Sequence, residues 1–137
     1  MRGVKRLRLL LDTHIILWSA AEPEKLSQNI TEELKNNSNE LWFSPISVWE
    51  ILLLAEKGRI SLGPDIENSA RDIFRKIPLN EAPLNKEVAI QSRFVLLPHQ
   101  DPADRFIAAT AIVYDFTLVT ADSRIISAKD VPVLAVV

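Results

Sequence analysis

The sequence predicts an α/β domain, a mostly parallel sheet covered by helices on both faces, and three observations carry that prediction. Short apolar runs of strand length, Arg8 to Leu11, Leu41 to Phe43 and Phe116 to Thr120, alternate with longer segments of helical character. Two cap-then-proline pairs, Ser44-Pro45 and Asp101-Pro102, announce helix starts. Carboxylates stand where strands hand over to helices or turns, at Asp12, Glu50, Asp104 and Asp122. Strands alternating with helices need long crossovers and so pair in parallel.

Arg8 to Leu11 is continuous in apolar character until Asp12, as a strand buried on both faces requires. Thr13 to Ala20 follows as a short helix carrying Ile15, Ile16, Leu17 and Trp18. Ser27 caps a helix through Lys35, which the Asn36-Asn37-Ser38-Asn39 cluster ends. Leu41 to Phe43 forms the second strand. Ser44 is then the N-cap and Pro45 the first residue of a helix reaching about Lys57, with Gly58 as its stop. After Gly63-Pro64, Asp65 to Lys76 is amphipathic, with Ile66, Ala70, Ile73 and Phe74 on one face. Ile77 to Leu79 is a weak strand, and a helix runs from about Asn85 to Phe94. Leu97-Pro98-His99-Gln100 is a loop before the helix opened by Asp101-Pro102, which continues through Tyr114. Phe116 to Thr120 is the clearest strand, and Val133 to Val136 the last.

Composition sets outer limits. The 137 residues fit one domain, 1–137, able to bury a core without disulfides or metal staples. Cysteine is absent, which removes disulfides and thiolate metal sites and suits a reducing cytosol. No apolar stretch approaches the roughly 18 residues of a membrane span. The basic opening, MRGVKRLRLLLD, has only Leu9 to Leu11 as its apolar run, too short for a secretory signal. A cytoplasmic protein is expected. A net charge of −2, from 16 basic and 18 acidic side chains, excludes holding nucleic acid by bulk charge. Any nucleic-acid contact must use a local basic patch.

In an open α/β sheet the ligand crevice lies beyond the carboxyl ends of the strands. Asp12 ends the first strand, and Asp122 lies two residues past Thr120. Glu50 lies in the second turn of the helix after strand two, and Asp104 in the first turn of its own helix. All four face one rim. Each also has a plainer explanation: Asp12 as a helix cap, Glu50 as partner of Ser47 in a capping box, Asp122 as a turn residue. Asp104 could pair with Asp101 at the helix start, and Asp101 itself reads best as a cap. Glu50 is the hardest to explain away, because Ser44-Pro45 places it too deep to cap and its neighbours are apolar.

Four gathered carboxylates raise one another's pKa unless a cation favours their ionised forms. Hard oxygens without Cys or clustered His suit Mg²⁺ or Mn²⁺. Phosphodiester hydrolysis is the natural reaction class for such a centre.

At these residues the chain resembles a PIN-domain ribonuclease, specifically the VapC-type toxin of toxin–antitoxin pairs. The matching stretches are LLLDTHIILW around Asp12, SPISVWEILLLAEKGRISL around Glu50, DPADRFIAATA around Asp104 and LVTAD around Asp122. The resemblance implies a three-layer α/β/α sandwich with a central, mainly parallel sheet. It implies a single-strand-directed endoribonuclease using Mg²⁺ or Mn²⁺, with Asp12, Glu50, Asp104 and Asp122 as the acidic quartet. Asp12 and Asp104 correspond to the firmest ligands. Glu50 binds metal or orients the nucleophilic water, and Asp122 completes the site. Thr120 is similar to the small hydroxyl residue beside the last acid. The family also implies a homodimer, a small antitoxin whose tail blocks the acidic groove, and tRNA or ribosomal RNA as substrate. Ile15, Trp18, Trp49 and Leu53 are candidates for the apolar surface such partners need, against a reading as core. Arg59, Arg105 and Arg124 are candidates for phosphate contact, against a reading as solvated charges. His14 follows Asp12 but has no partner pattern and stays outside the predicted site.

Two other enzyme classes fit less well. An aspartyl-nucleophile phosphatase wants a second acid two residues after the first, where His14 stands. A phosphoacceptor receiver wants paired acids after strand one. The non-enzymatic rival is a PIN-like module that binds RNA or protein without turnover.

Overall fold

The computed structural model describes residues 6–128 and 130–135. Its strands are β1 (Arg8–Leu11), β2 (Glu40–Phe43), β3 (Asn80–Glu81), β4 (Thr117–Thr120) and β5 (Val133–Ala135). They form one sheet in the order β3-β2-β1-β4-β5, every pairing parallel. The helices are α1 (Thr13–Ala21), α2 (Gln28–Lys35), α3 (Pro45–Glu56), α4 (Ile66–Lys76), α5 (Lys86–Phe94), α6 (Pro102–Tyr114) and α7 (Ser123–Ile126).

Side chains alternate across the sheet with a period of two, and that alternation builds two separate cores. Leu10 and Leu118 point to one face and pack with Ile107, Ala108, Ala111, Phe116 and Ile125 beneath α6 and α7. Leu9, Leu11 and Val119 point to the other and pack with Ile15, Ile16, Ile30, Ile51 and Ile73 from α1 to α4. The result is the three-layer α/β/α sandwich expected from the sequence. Among the described residues, no helix is long and apolar enough to cross a membrane.

Local chemistry explains the helix boundaries. Ser27, Ser44, Asp65, Asn85 and Asp101 each accept a backbone N–H of the following first turn through their side chains. Because Ser44 is the cap and Pro45 the first residue of α3, the capping-box role for Glu50 is excluded. Gly58 follows α3 at φ +72°, and the Arg59 amide reaches back to the Leu54 carbonyl at 2.9 Å.

One expectation shifts. The strand expected at Ile77 to Leu79 lies instead at Asn80–Glu81, where Trp42 pairs with Asn80 and Phe43 with Glu81. The Leu79 amide turns back onto the Ile77 carbonyl at 2.8 Å, and both side chains pack against the α1-side core. Their apolar character records burial, not pairing. Pro23–Lys25 forms a 3₁₀ helix, and Asp122, for which a turn role was the plainer alternative, caps the short helix α7. The last strand is described through Ala135; Val136 lies outside the described residues.

Asp115 ends α6 with φ +58°, a left-handed position where glycine is favoured. Replacing Asp115 by Gly should therefore stabilise the protein by up to about 1 kcal/mol, and Gly58→Ala should destabilise it by about 1–2 kcal/mol. A Cβ on Gly58 meets nothing within 4 Å, so its cost is conformational alone. Urea unfolding tests both; a Gly58→Ala protein as stable as wild type would contradict the assignment.

Candidate metal centre

β1 is flanked by β2 on one side and β4 on the other, so the chain reverses its direction of travel across the sheet at β1. Crevices in such sheets open at that reversal, beyond the carboxyl ends of the strands. Asp12 leaves β1 there, and Asp122 leaves β4. A cavity of about 570 Å³ at this rim is lined by Asp12, Glu50, Asp101, Asp104 and Asp122, with Arg59 and Arg124 at its edge. The fold thus brings all four predicted acids into one cavity and adds Asp101.

Asp12 is buried and tied at both oxygens. The Thr13 amide donates to Oδ1 at 2.8 Å, and the Thr120 hydroxyl to Oδ2 at 2.6 Å. Thr120 in turn accepts the Asp122 amide at 3.0 Å, so one hydroxyl ties the two strand ends together. Burial pushes the Asp12 carboxyl up, against the pull of the Thr120 and Thr13 hydrogen bonds.

Asp104, in the first turn of α6, is 7% exposed and is driven up to about 8. Burial is the first cause, followed by the charges of Asp12, Asp101, Asp122 and Glu50. Glu50 is half-buried and also raised, chiefly by burial, with the nearby Thr13 hydroxyl, which itself bonds Ser47 Oγ at 2.9 Å, opposing. Asp122 differs. Arg124 donates to it through Nε at 3.2 Å and a terminal nitrogen at 2.9 Å, and holds its carboxyl below the usual range.

These residues fit a divalent cation. Glu50, Asp101 and Asp104 each offer an oxygen within 4.8 Å of the others, and His99, Asp104 and Asp122 form a second such group. Burial and mutual repulsion raise the pKa of three of the carboxyls, a bias that a dication reverses. Asp101 caps α6 through the Asp104 amide at 3.3 Å, as predicted, yet it also joins Glu50 and Asp104 in one group of oxygens that could hold a cation.

Arg105 is corrected outright. It is 6% exposed and contacts no rim. Its guanidinium donates to the carbonyls of Ser92, Val95 and His99 at 2.8, 3.0 and 3.1 Å, binding the 95–100 loop to α6. Arg59 and Arg124 are exposed at the cavity edge. Of the apolar candidates, Ile15 is core, Trp18 and Leu53 are half-buried, and Trp49 is 47% exposed. Sequence reasoning missed His99 and Thr13. A histidine just before a cap-proline pair and a threonine right after a strand-ending acid were their only signals.

The sheet order, the two-sided core and the acidic rim together define an α/β nuclease-like domain with a carboxylate centre. The chain belongs to the PIN-domain family, whose model matches residues 9–131. It is 34% identical over 120 residues to Ribonuclease VapC22 of Mycobacterium tuberculosis, covering 85% of this chain and 88% of that protein. The fold matches VapBC2 from Rickettsia felis, solved bound to a promoter DNA fragment, at TM-score 0.70 with 19% identity, over 96% of this chain and 100% of that one. It also matches DNA-bound VapBC from Salmonella typhimurium at TM-score 0.69 with 19% identity, over 94% and 98%.

The pH dependence of stability follows from Asp104. Its folded-state affinity for a proton exceeds that of an unfolded aspartate at 3.8, so metal-free stability must fall as pH rises from about 4 to about 8. Asp104→Asn removes this contribution. In EDTA, the drop in Tm between about pH 5 and about pH 8 should be smaller in the variant than in wild type. Equal drops would contradict the assignment.

Proposed function

We propose that this protein is a metal-dependent endoribonuclease directed at single-stranded RNA, and the toxin component of a VapBC-type pair. The observation that carries the reading is the meeting of Asp12, Glu50, Asp104 and Asp122 in one cavity, within a chain similar to a protein named a ribonuclease. A bound Mg²⁺ or Mn²⁺ would supply an acidified water and offset charge on the phosphoryl oxygens.

The chain's own residues do the rest. Asp104 and Asp12 hold the cation, the first from α6 and the second from the end of β1. Thr120 keeps the Asp12 carboxylate in one orientation. Glu50, raised by burial yet still open to the cavity, binds metal or takes a proton from the attacking water. Asp122 completes the site beside Arg124. Arg59 and Arg124 offer local positive charge to RNA phosphates, which the overall −2 charge does not.

Solved neighbours that share the fold include a toxin–antitoxin complex and a member of the VapBC family of toxin–antitoxin systems. We infer a small antitoxin partner for this chain, a homodimeric assembly, a cytoplasmic setting, and tRNA or ribosomal RNA as substrate.

The test is cleavage of mixed cellular RNA in Mg²⁺ or Mn²⁺, with Asp12→Asn and Asp104→Asn alongside. Each substitution should lower cleavage by at least about 100-fold, since even indirect partners of a metal cost 10–100-fold. Wild type cutting no better than the variants would leave only a binding module. Expression should also arrest growth, with relief when a small neighbouring gene is co-expressed.

A further inference from the structure

His99 lies behind Asp104, outside the residues that line the acidic cavity, with its side chain 15% exposed. Its Nδ1 accepts the Asp101 amide at 3.1 Å. Turning the ring over would set a carbon against that N–H, so the amide fixes the ring's orientation. An accepting Nδ1 carries no proton in the neutral ring, which places the proton on Nε2. That nitrogen is buried with no hydrogen-bond partner among the described residues. It lies 3.4 Å from Oδ2 of Asp104, close but poorly aligned. With its proton in place, Nε2 has no lone pair to give a metal. His99 therefore leaves the cation group it geometrically joins with Asp104 and Asp122.

We propose that His99 is a positioning residue for Asp104: its Nε2–H, fixed in that tautomer by the Asp101 amide, holds Oδ2 and turns Oδ1 towards the cation. Rotation about the last torsion of Asp104, a broad well, brings the two into line. Arg124 approaches the same Oδ2 at 3.7 Å. Among the described residues, neither a backbone nor a side-chain hydrogen-bond donor reaches Oδ1. The carboxylate is thus surrounded asymmetrically, with both nearby side-chain donors, His99 and Arg124, approaching Oδ2. Arg105 sets the other end of the device. Its bond to the His99 carbonyl, beside those to Ser92 and Val95, locks the loop that presents the imidazole. Outer partners that orient metal-binding carboxylates are worth about 10–100-fold in affinity.

This inference rests on Asp104 being a metal ligand, and the experiment separates the two. Three variants divide the roles of the ring. His99→Asn keeps an acceptor for the Asp101 amide but loses the distal donor; His99→Gln supplies a distal donor; His99→Phe supplies neither. Mn²⁺ affinity is measured by calorimetry on full-length protein, with Tm alongside. Asn and Phe should weaken Mn²⁺ binding about 10–100-fold, and Gln should recover most of it. If Asn binds Mn²⁺ like wild type, the ring serves only the loop and the proposal fails. Imidazole ¹⁵N–¹H spectra of the metal-free protein test the contact independently. They should show the Nε2-protonated tautomer, with its proton signal moving in Asp104→Ala; the other tautomer, or a signal indifferent to Asp104→Ala, overturns it. Wild type that binds no Mn²⁺ defeats the metal reading itself, and the spectra then decide the His99–Asp104 contact alone.

Discussion

The hydrogen bond from Thr120 to Asp12 joins residues 108 positions apart, and the functional rim depends on it. It forms only if β1 and β4 lie side by side in parallel with Leu11 opposite Val119. A slip of one residue would turn every side chain of one strand to the opposite core, exposing Leu10 or Leu9 and Leu11 to the wrong layer. The two apolar cores therefore fix the register, and the register fixes the pair of strand ends. Once Thr120 is placed, its hydroxyl serves both acids, donating to Asp12 and accepting from the Asp122 amide.

The second support is a buried cation with no carboxylate partner. Arg105 spends its charge on three carbonyls, two of them from the last turn of α5 and the residue just beyond it. Carbonyls at a helix C-terminus carry partial negative charge and suit a guanidinium. Hydrogen bonds to a charged group contribute about 1.5–3 kcal/mol each, enough in combination to offset much of the burial penalty. A carboxylate here would instead add to the repulsion already felt at Asp104. The rim acids thus stay free of Arg105, and the loop bearing His99 stays in place.

Much of this was legible in the sequence. β1, α3 and α6 were readable because apolar continuity, Ser44-Pro45 and Asp101-Pro102 are local signals with local causes. The four acids were readable because strand ends in an α/β fold share one edge. Where chemistry was long-range, the sequence misled or was silent. Ile77 and Leu79 looked like a strand because burial and pairing leave the same apolar mark. Arg105 looked like a rim charge because nothing local says that Ser92 and Val95 will surround it. His99 gave only a faint sign because its proposed role depends on an orientation set by a backbone amide two residues away.

The acids of the rim are not equivalent, and their surroundings explain the ranking. Asp12 and Asp104 are buried, so their charges are poorly hydrated and seek a cation strongly. Asp122 already has one in Arg124, whose side chain is 53% exposed. Water screens much of the attraction in a pair whose cation is that exposed. Separating it therefore costs little beside the several kcal/mol at stake in leaving a buried carboxylate without a counter-charge. Asp122 can turn to a metal and release Arg124 towards a phosphate with little penalty. Asp12 has no cationic partner among the described residues and Asp104 only more distant ones. In the proposed metal site, burial would thus set the firm ligands and exposure the adjustable one.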